Sequence, residues 1–79
     1  MNHDITKEGG GSFGLTLNAI DVGDTIVYYV GAYAKGPHKA DALKAYEAGL
    51  CFLYQRKLPD GQFAYTAAKK KTLDAKNTR

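Results

Sequence analysis

The stretch LCFLYQRKLPDGQFAYTAAKKK, residues 50–71, places Arg56, Lys57, Lys69, Lys70 and Lys71 in two short runs on either side of a turn. Guanidinium and ammonium groups at that density hold phosphate oxygens and give affinity for a nucleic-acid backbone without reading its bases. His38 and Lys39 form a second cationic pair at the start of a helical segment, where unpaired N–H groups favour an anion. Tyr54 and Tyr33 carry amphipathic rings of the kind that recur at protein contacts. The plain alternative to a basic wing is a solvated hairpin edge followed by a charged tail.

Other chemistry finds little support. His3 sits in a polar N-terminal stretch and His38 at a loop–helix junction, so neither has a local nucleophile or acid partner. The run KEGGGSFG lacks the Lys-Ser/Thr ending of a phosphate-binding loop and does not match the dinucleotide fingerprint. Cys51, the single cysteine, lies in the apolar run LCFL and reads as a small buried hydrophobe; it has no second cysteine to pair with. Asp21 and Asp24 read as turn formers rather than as a metal or catalytic pair. The expectation is therefore a non-enzymatic protein with no cofactor and no metal.

Charge distribution supports an anionic partner more than net charge does. The total is only +3, but residues 1–50 hold four Lys against six Asp or Glu, and residues 51–79 hold seven Lys or Arg against two Asp. That is −2 followed by +5, a polarised molecule. At 79 residues the chain has room for one small core, and nine aromatic residues help to fill it. The absence of an apolar run long enough to span a bilayer, together with the lone cysteine, fits a cytoplasmic protein.

The elements that must position these groups follow from pattern. Residues 1–12 are polar with Gly9, Gly10 and Gly11 in sequence, which predicts a flexible leader. Alternation of Phe13, Leu15, Leu17 and Ala19 predicts a short extended segment. Gly23-Asp24 is turn chemistry, and TIVYYV, residues 25–30, is a strand without alternation that needs cover on both faces. GPHKADALKAYEAGL reads as a helix of about twelve residues between Pro37 and Gly49. Its small Ala42, Ala45 and Ala48 allow close approach to a sheet, while Ala40, Leu43 and Tyr46 share a second spacing.

The segment LPDGQ suits a three-residue hairpin loop with Gly61 in the left-handed region. That register pairs Leu58 with Gln62, Lys57 with Phe63, Gln55 with Tyr65, Leu53 with Ala67 and Cys51 with Lys69. Cys51, Leu53, Phe63, Tyr65 and Ala67 then share the better core face. Phe52, Tyr54, Arg56, Ala64, Thr66 and Lys70 share the other. A two-residue loop would shift the pairing by one and group Tyr54 and Arg56 with Tyr65.

GDTIVYYVG, the alanine-rich helix and LCFLYQRKLPDGQFAYTAAKKK together resemble a group of small uncharacterised phage and prophage proteins, over roughly residues 22–70. The resemblance implies a winged-helix-like shape, although residues 32–37 are short for a full helix-turn-helix before the wing. The expected fold is α+β: a small antiparallel sheet, one main helix and a C-terminal β-hairpin. A single domain would span residues 13–71, with a flexible tail at 72–79. Two partners suit it: double-stranded DNA held by Arg56, Lys57, Lys69, Lys70, Lys71, His38 and Lys39, or a host protein inhibited through Tyr54 and Tyr33. An exposed strand edge is also compatible with a homodimer.

Overall fold

The computed structural model describes residues 1–71, and the expected tail at 72–79 lies outside them. The chain runs β1 (Asn2–Asp4), α1 (Ser12–Ala19), β2 (Thr25–Gly31), α2 (Lys39–Glu47), β3 (Cys51–Lys57) and β4 (Phe63–Lys69). The fold is α+β, with a four-stranded sheet in the order β1-β2-β4-β3. The sheet is mixed rather than wholly antiparallel, because β1 runs parallel to β2. Strand β2 separates α1 from α2, so the two helices are not joined by a helix-turn-helix turn. Among the described residues no helix is long and apolar enough to cross a membrane.

The hairpin follows the three-residue-loop register at every pair from Cys51↔Lys69 to Lys57↔Phe63. Gly61 has φ 88°, and the Leu58 N–H donates to the Gln62 carbonyl at 2.7 Å. Asp60 locks the turn by accepting from the Gln62 N–H at 3.0 Å. Core face and outer face divide as the alternation requires. Cys51, Tyr65 and Ala67 are buried and Leu53 and Phe63 pack against them, while Phe52, Tyr54 and Arg56 are exposed.

Strand β2 carries one irregularity, between Val27 and Tyr29 in its pairing with β4. A bulge inserts an extra residue and re-aims the side chains beyond it. Tyr28 and Tyr29 consequently both join the core side, where Tyr28 meets Phe13 edge-on at 5.8 Å and lies 6.5 Å from Tyr65. Tyr29 also limits its surroundings: a Cβ on Gly31 would stand 2.6 Å from its ring, and one on Gly36 would stand 2.9 Å away.

Three expectations about the elements are corrected. The N-terminal segment is not a loose leader, since β1 pairs with β2 and Ile5 is 2% exposed within the core. Polarity and glycine content hid one apolar anchor and a strand too short to show a period. Residues 13–19 are helical rather than extended. Phe13, Leu17 and Ile20 are buried at helical spacing, whereas Leu15, which the alternation placed with them, is 75% exposed. Helix α2 is shorter than expected and buries Ala42 and Ala45; Leu43 and Tyr46 are exposed.

Ile5→Ala should cost about 2–5 kcal/mol, as for other buried large-to-small changes, and deletion of residues 1–5 should lower the melting temperature clearly. An unchanged denaturation midpoint would show that the arm contributes no stability. A second comparison isolates Tyr29. Gly61→Val should cost roughly 1 kcal/mol or more from positive φ alone. Gly36→Ala, at φ 95° and against the ring, should exceed the cost of Gly61→Ala in urea titration.

Candidate nucleic-acid interface

The cations of the hairpin fall into two groups at opposite ends of the sheet. Arg56 and Lys57 pair with Ala64 and Phe63 near the turn, while Lys69 pairs with Cys51 at the far end. Six residue steps along an antiparallel strand separate the ends by about 20 Å. The cations expected on the hairpin therefore stand as two groups, one by the tip and one by the exit, as the register requires.

Lys69 is occupied internally. It shares the core side with Cys51, and its ammonium donates to the Ile20 carbonyl at 2.7 Å, satisfying a backbone acceptor just past the end of α1. Lys70, on the outer face, places Nζ 5.0 Å from the Phe52 ring centroid, within cation–π range. Lys71 is exposed. Leu17, Val22, Leu50 and the three lysines border a groove of about 330 Å³ at this end.

His38 is also removed from the set of accessible cations. Its side chain is completely buried, and Nε2 lies 3.1 Å from the carbonyl oxygens of both Ile5 and Glu8. Two acceptors around one nitrogen require that Nε2 carry the proton and donate it. Nδ1 is buried with no partner among the described residues. The residue is a strut between the N-terminal arm and α2, so it offers nothing to a phosphate. Periodicity could not reveal this, because the two carbonyls belong to residues 30 and 33 positions away. Lys39 remains exposed and borders a groove with Leu43, Leu53 and Tyr54 between α2 and the β3 edge.

Tyr54 and Tyr33 are both accessible, at 48% and 66% exposure. They do not form one surface: Tyr54 lies in mid-strand, and Tyr33 lies in the loop after Gly31 with Lys35 Nζ 5.6 Å from its ring. Sequence reasoning placed Phe52 on the outer face without making it a contact residue. The structure leaves it 54% exposed beside Tyr54 and Arg56 in one row.

The rest of the described molecule is chemically quiet. Burial pushes the Cys51 thiol above its ordinary value, which suppresses the reactive thiolate. Burial also raises Tyr28, with smaller contributions from Cys51 and Tyr65. Asp4 lies below the usual carboxylate value because the Thr6 N–H and hydroxyl both donate to it, at 2.8 and 2.7 Å. The Met1 ammonium at 2.9 Å and the Asp21 N–H at 3.2 Å do the same for Asp24. Among the described residues no group of three or more His, Cys, Asp or Glu side chains could hold a metal ion.

Comparison with protein-family models, curated proteins and solved structures finds no match to this chain. What can be said of its chemistry comes from its own residues.

His38→Ala should destabilise by at least about 1–3 kcal/mol, the cost of stranding a buried acceptor, and His38→Gln should recover part of this through its amide donor. Lys39→Gln, at the exposed neighbour, should be close to neutral. Equal midpoints for His38→Ala and Lys39→Gln in chemical denaturation would refute the strut assignment.

Proposed function

We propose that this protein is a non-enzymatic nucleic-acid-binding module that holds the phosphate backbone with the free cations of its β3–β4 hairpin. One observation carries the reading. Among the described residues Arg56, Lys57, Lys70 and Lys71 form no ion pair, and neither β3 nor β4 contains a carboxylate. Asp60, the acidic residue nearest in sequence to Arg56 and Lys57, accepts the Gln62 N–H through Oδ1 in the turn. Four cations on one hairpin, without an ion pair among the described residues, produce a field that an anionic polymer neutralises with release of counterions.

The two ends are about 20 Å apart, so a bound backbone spans the hairpin instead of seating at its tip. A phosphate run following β3 would meet Lys57 and Arg56 at one end and Lys70 and Lys71 at the other. Lys69 and His38 are not part of this surface, and Lys39 flanks it from α2.

A second reading, a protein-binding factor that inhibits a host protein, draws on a different feature. Strand β3 is an edge of the sheet, and beside it Leu43 and Tyr54, each about half exposed, border a groove of about 270 Å³. An unpaired edge next to an apolar groove suits addition of a partner strand.

Fluorescence anisotropy with labelled duplex and single-stranded oligonucleotides at several salt concentrations separates the readings. Replacing Arg56, Lys57, Lys70 and Lys71 by glutamine should weaken binding to unrelated sequences by similar factors. It should also flatten the log affinity against log salt plot by about 0.9 per lost contact on a duplex, or about 0.7 on a single strand. If the parent protein binds no nucleic acid at low ionic strength, the reading fails and the protein-contact surface takes its place.

A further inference from the structure

We infer that the exposed β3 row on the sheet face away from the helices is a stacking platform for unpaired bases, so that the ligand of the hairpin is single-stranded nucleic acid; this rests on the nucleic-acid reading above. Both helices pack on the opposite face, in one cluster with Ile26, Tyr28, Cys51, Tyr65 and Ala67. The row Phe52, Tyr54 and Arg56 along β3 stands outside that cluster, with Tyr54 at the strand edge also bordering the groove beside α2. The two rings are 54% and 48% exposed, a large apolar investment on a surface the core does not use.

The face has the relief and the charge such a ligand needs. Beside Phe52, Tyr54 and Arg56, in register on β4, stand Ala68, Thr66 and Ala64, small side chains that form a low floor. Ala64 and Thr66 are only 3% and 4% exposed, so larger side chains on the same face cover them and the aromatic row leaves no open hole between β3 and β4. Two residues on one strand set the rings about 7 Å apart, which is one base per ring for an extended strand and too far for neighbouring bases kept in duplex stacking. Arg56 continues the row at one end, and Lys70 lies over Phe52 at the other. Cations thus bracket the rings where flanking phosphates would fall. Asp4 is in register with Val27 on the far edge of the sheet, three strand spacings or about 14 Å from β3. A backbone is therefore kept to the β3 side. A duplex presents phosphates but no free base faces, so it would use the cations without the rings.

The test compares binding of a short oligothymidylate, an abasic strand of equal length and a duplex to the unaltered protein and to a Phe52→Leu, Tyr54→Leu variant. The unaltered protein should bind the oligothymidylate at least about 5-fold more tightly than the abasic strand, since each stacked base contributes at least that factor. In the variant this preference should disappear, with duplex binding unchanged. Leucine retains apolar bulk, and a matching denaturation midpoint confirms that the variant is folded. Equal affinity of the unaltered protein for abasic and base-bearing strands overturns the platform, even if the glutamine variant still loses salt-sensitive binding and the broader reading stands. A dimer of the parent that becomes a monomer in the variant by sedimentation, with strand affinity unchanged, also overturns it by making the face a self-contact. Binding of none of the three ligands removes the nucleic-acid reading together with the platform.

Discussion

The structure depends on β4 lying between two partners. Its residues Ala64, Tyr65, Thr66 and Ala67 are all buried, because β2 and β3 flank it on both sides over the full length of the strand. A central strand in so small a sheet has to be sparing with side-chain volume, and β4 alternates one large residue on the core side with alanine and threonine on the other. Tyr65 fills the core between Tyr28, Tyr29 and Phe63, at centroid distances of 6.3 to 6.5 Å. The small residues behind it leave the opposite face flat. The exposed rings and cations of the hairpin consequently lie on β3, by the turn or at the strand exit.

Helix packing is a consequence of the same arrangement. The bulge in β2 turns Tyr28 and Tyr29 to the core side, and two helices with small or widely spaced contact residues then close that layer: Phe13 and Leu17 from α1, Ala42 and Ala45 from α2. His38 completes it. With its donor between the Ile5 and Glu8 carbonyls, one imidazole ties the segment after β1 to the start of α2, joining two parts of the chain that share no ladder. This explains how a three-residue strand persists at the sheet edge: β1 is held by its ladder to β2, by the burial of Ile5 and by a side chain from another element.

Legibility in the sequence tracked the range of the interaction. The hairpin is readable because its loop residues favour one register locally: Pro59, Asp60 and Gly61 suit the three-residue loop over the two-residue alternative, and the faces of seven-residue strands follow from it. Strand β2 was readable from its unbroken β-branched and aromatic run, and Gly49 marked the end of α2 with φ 79°. Residues 13–19 were misread because Phe13 and Leu17 satisfy both a two-residue and a four-residue period, and only the burial of Ile20 and exposure of Leu15 decide between them. The N-terminal strand and the role of His38 depend on partners more than twenty residues away, which no local pattern encodes.

The same limit explains why the cationic site was only half legible. Sequence identifies how many cations a hairpin carries, but whether they act together depends on the register and on what each side chain meets. Here register separates Arg56 and Lys57 from Lys70 and Lys71 by the length of the strand, while tertiary contact consigns Lys69 to an internal carbonyl. What lies between the two groups then acquires significance that composition alone could not give it. Phe52 and Tyr54 are about half exposed and share one strand face with Arg56, outside the core cluster. Two half-exposed rings between two cationic ends are a juxtaposition that strand register creates and that a count of residue types does not contain.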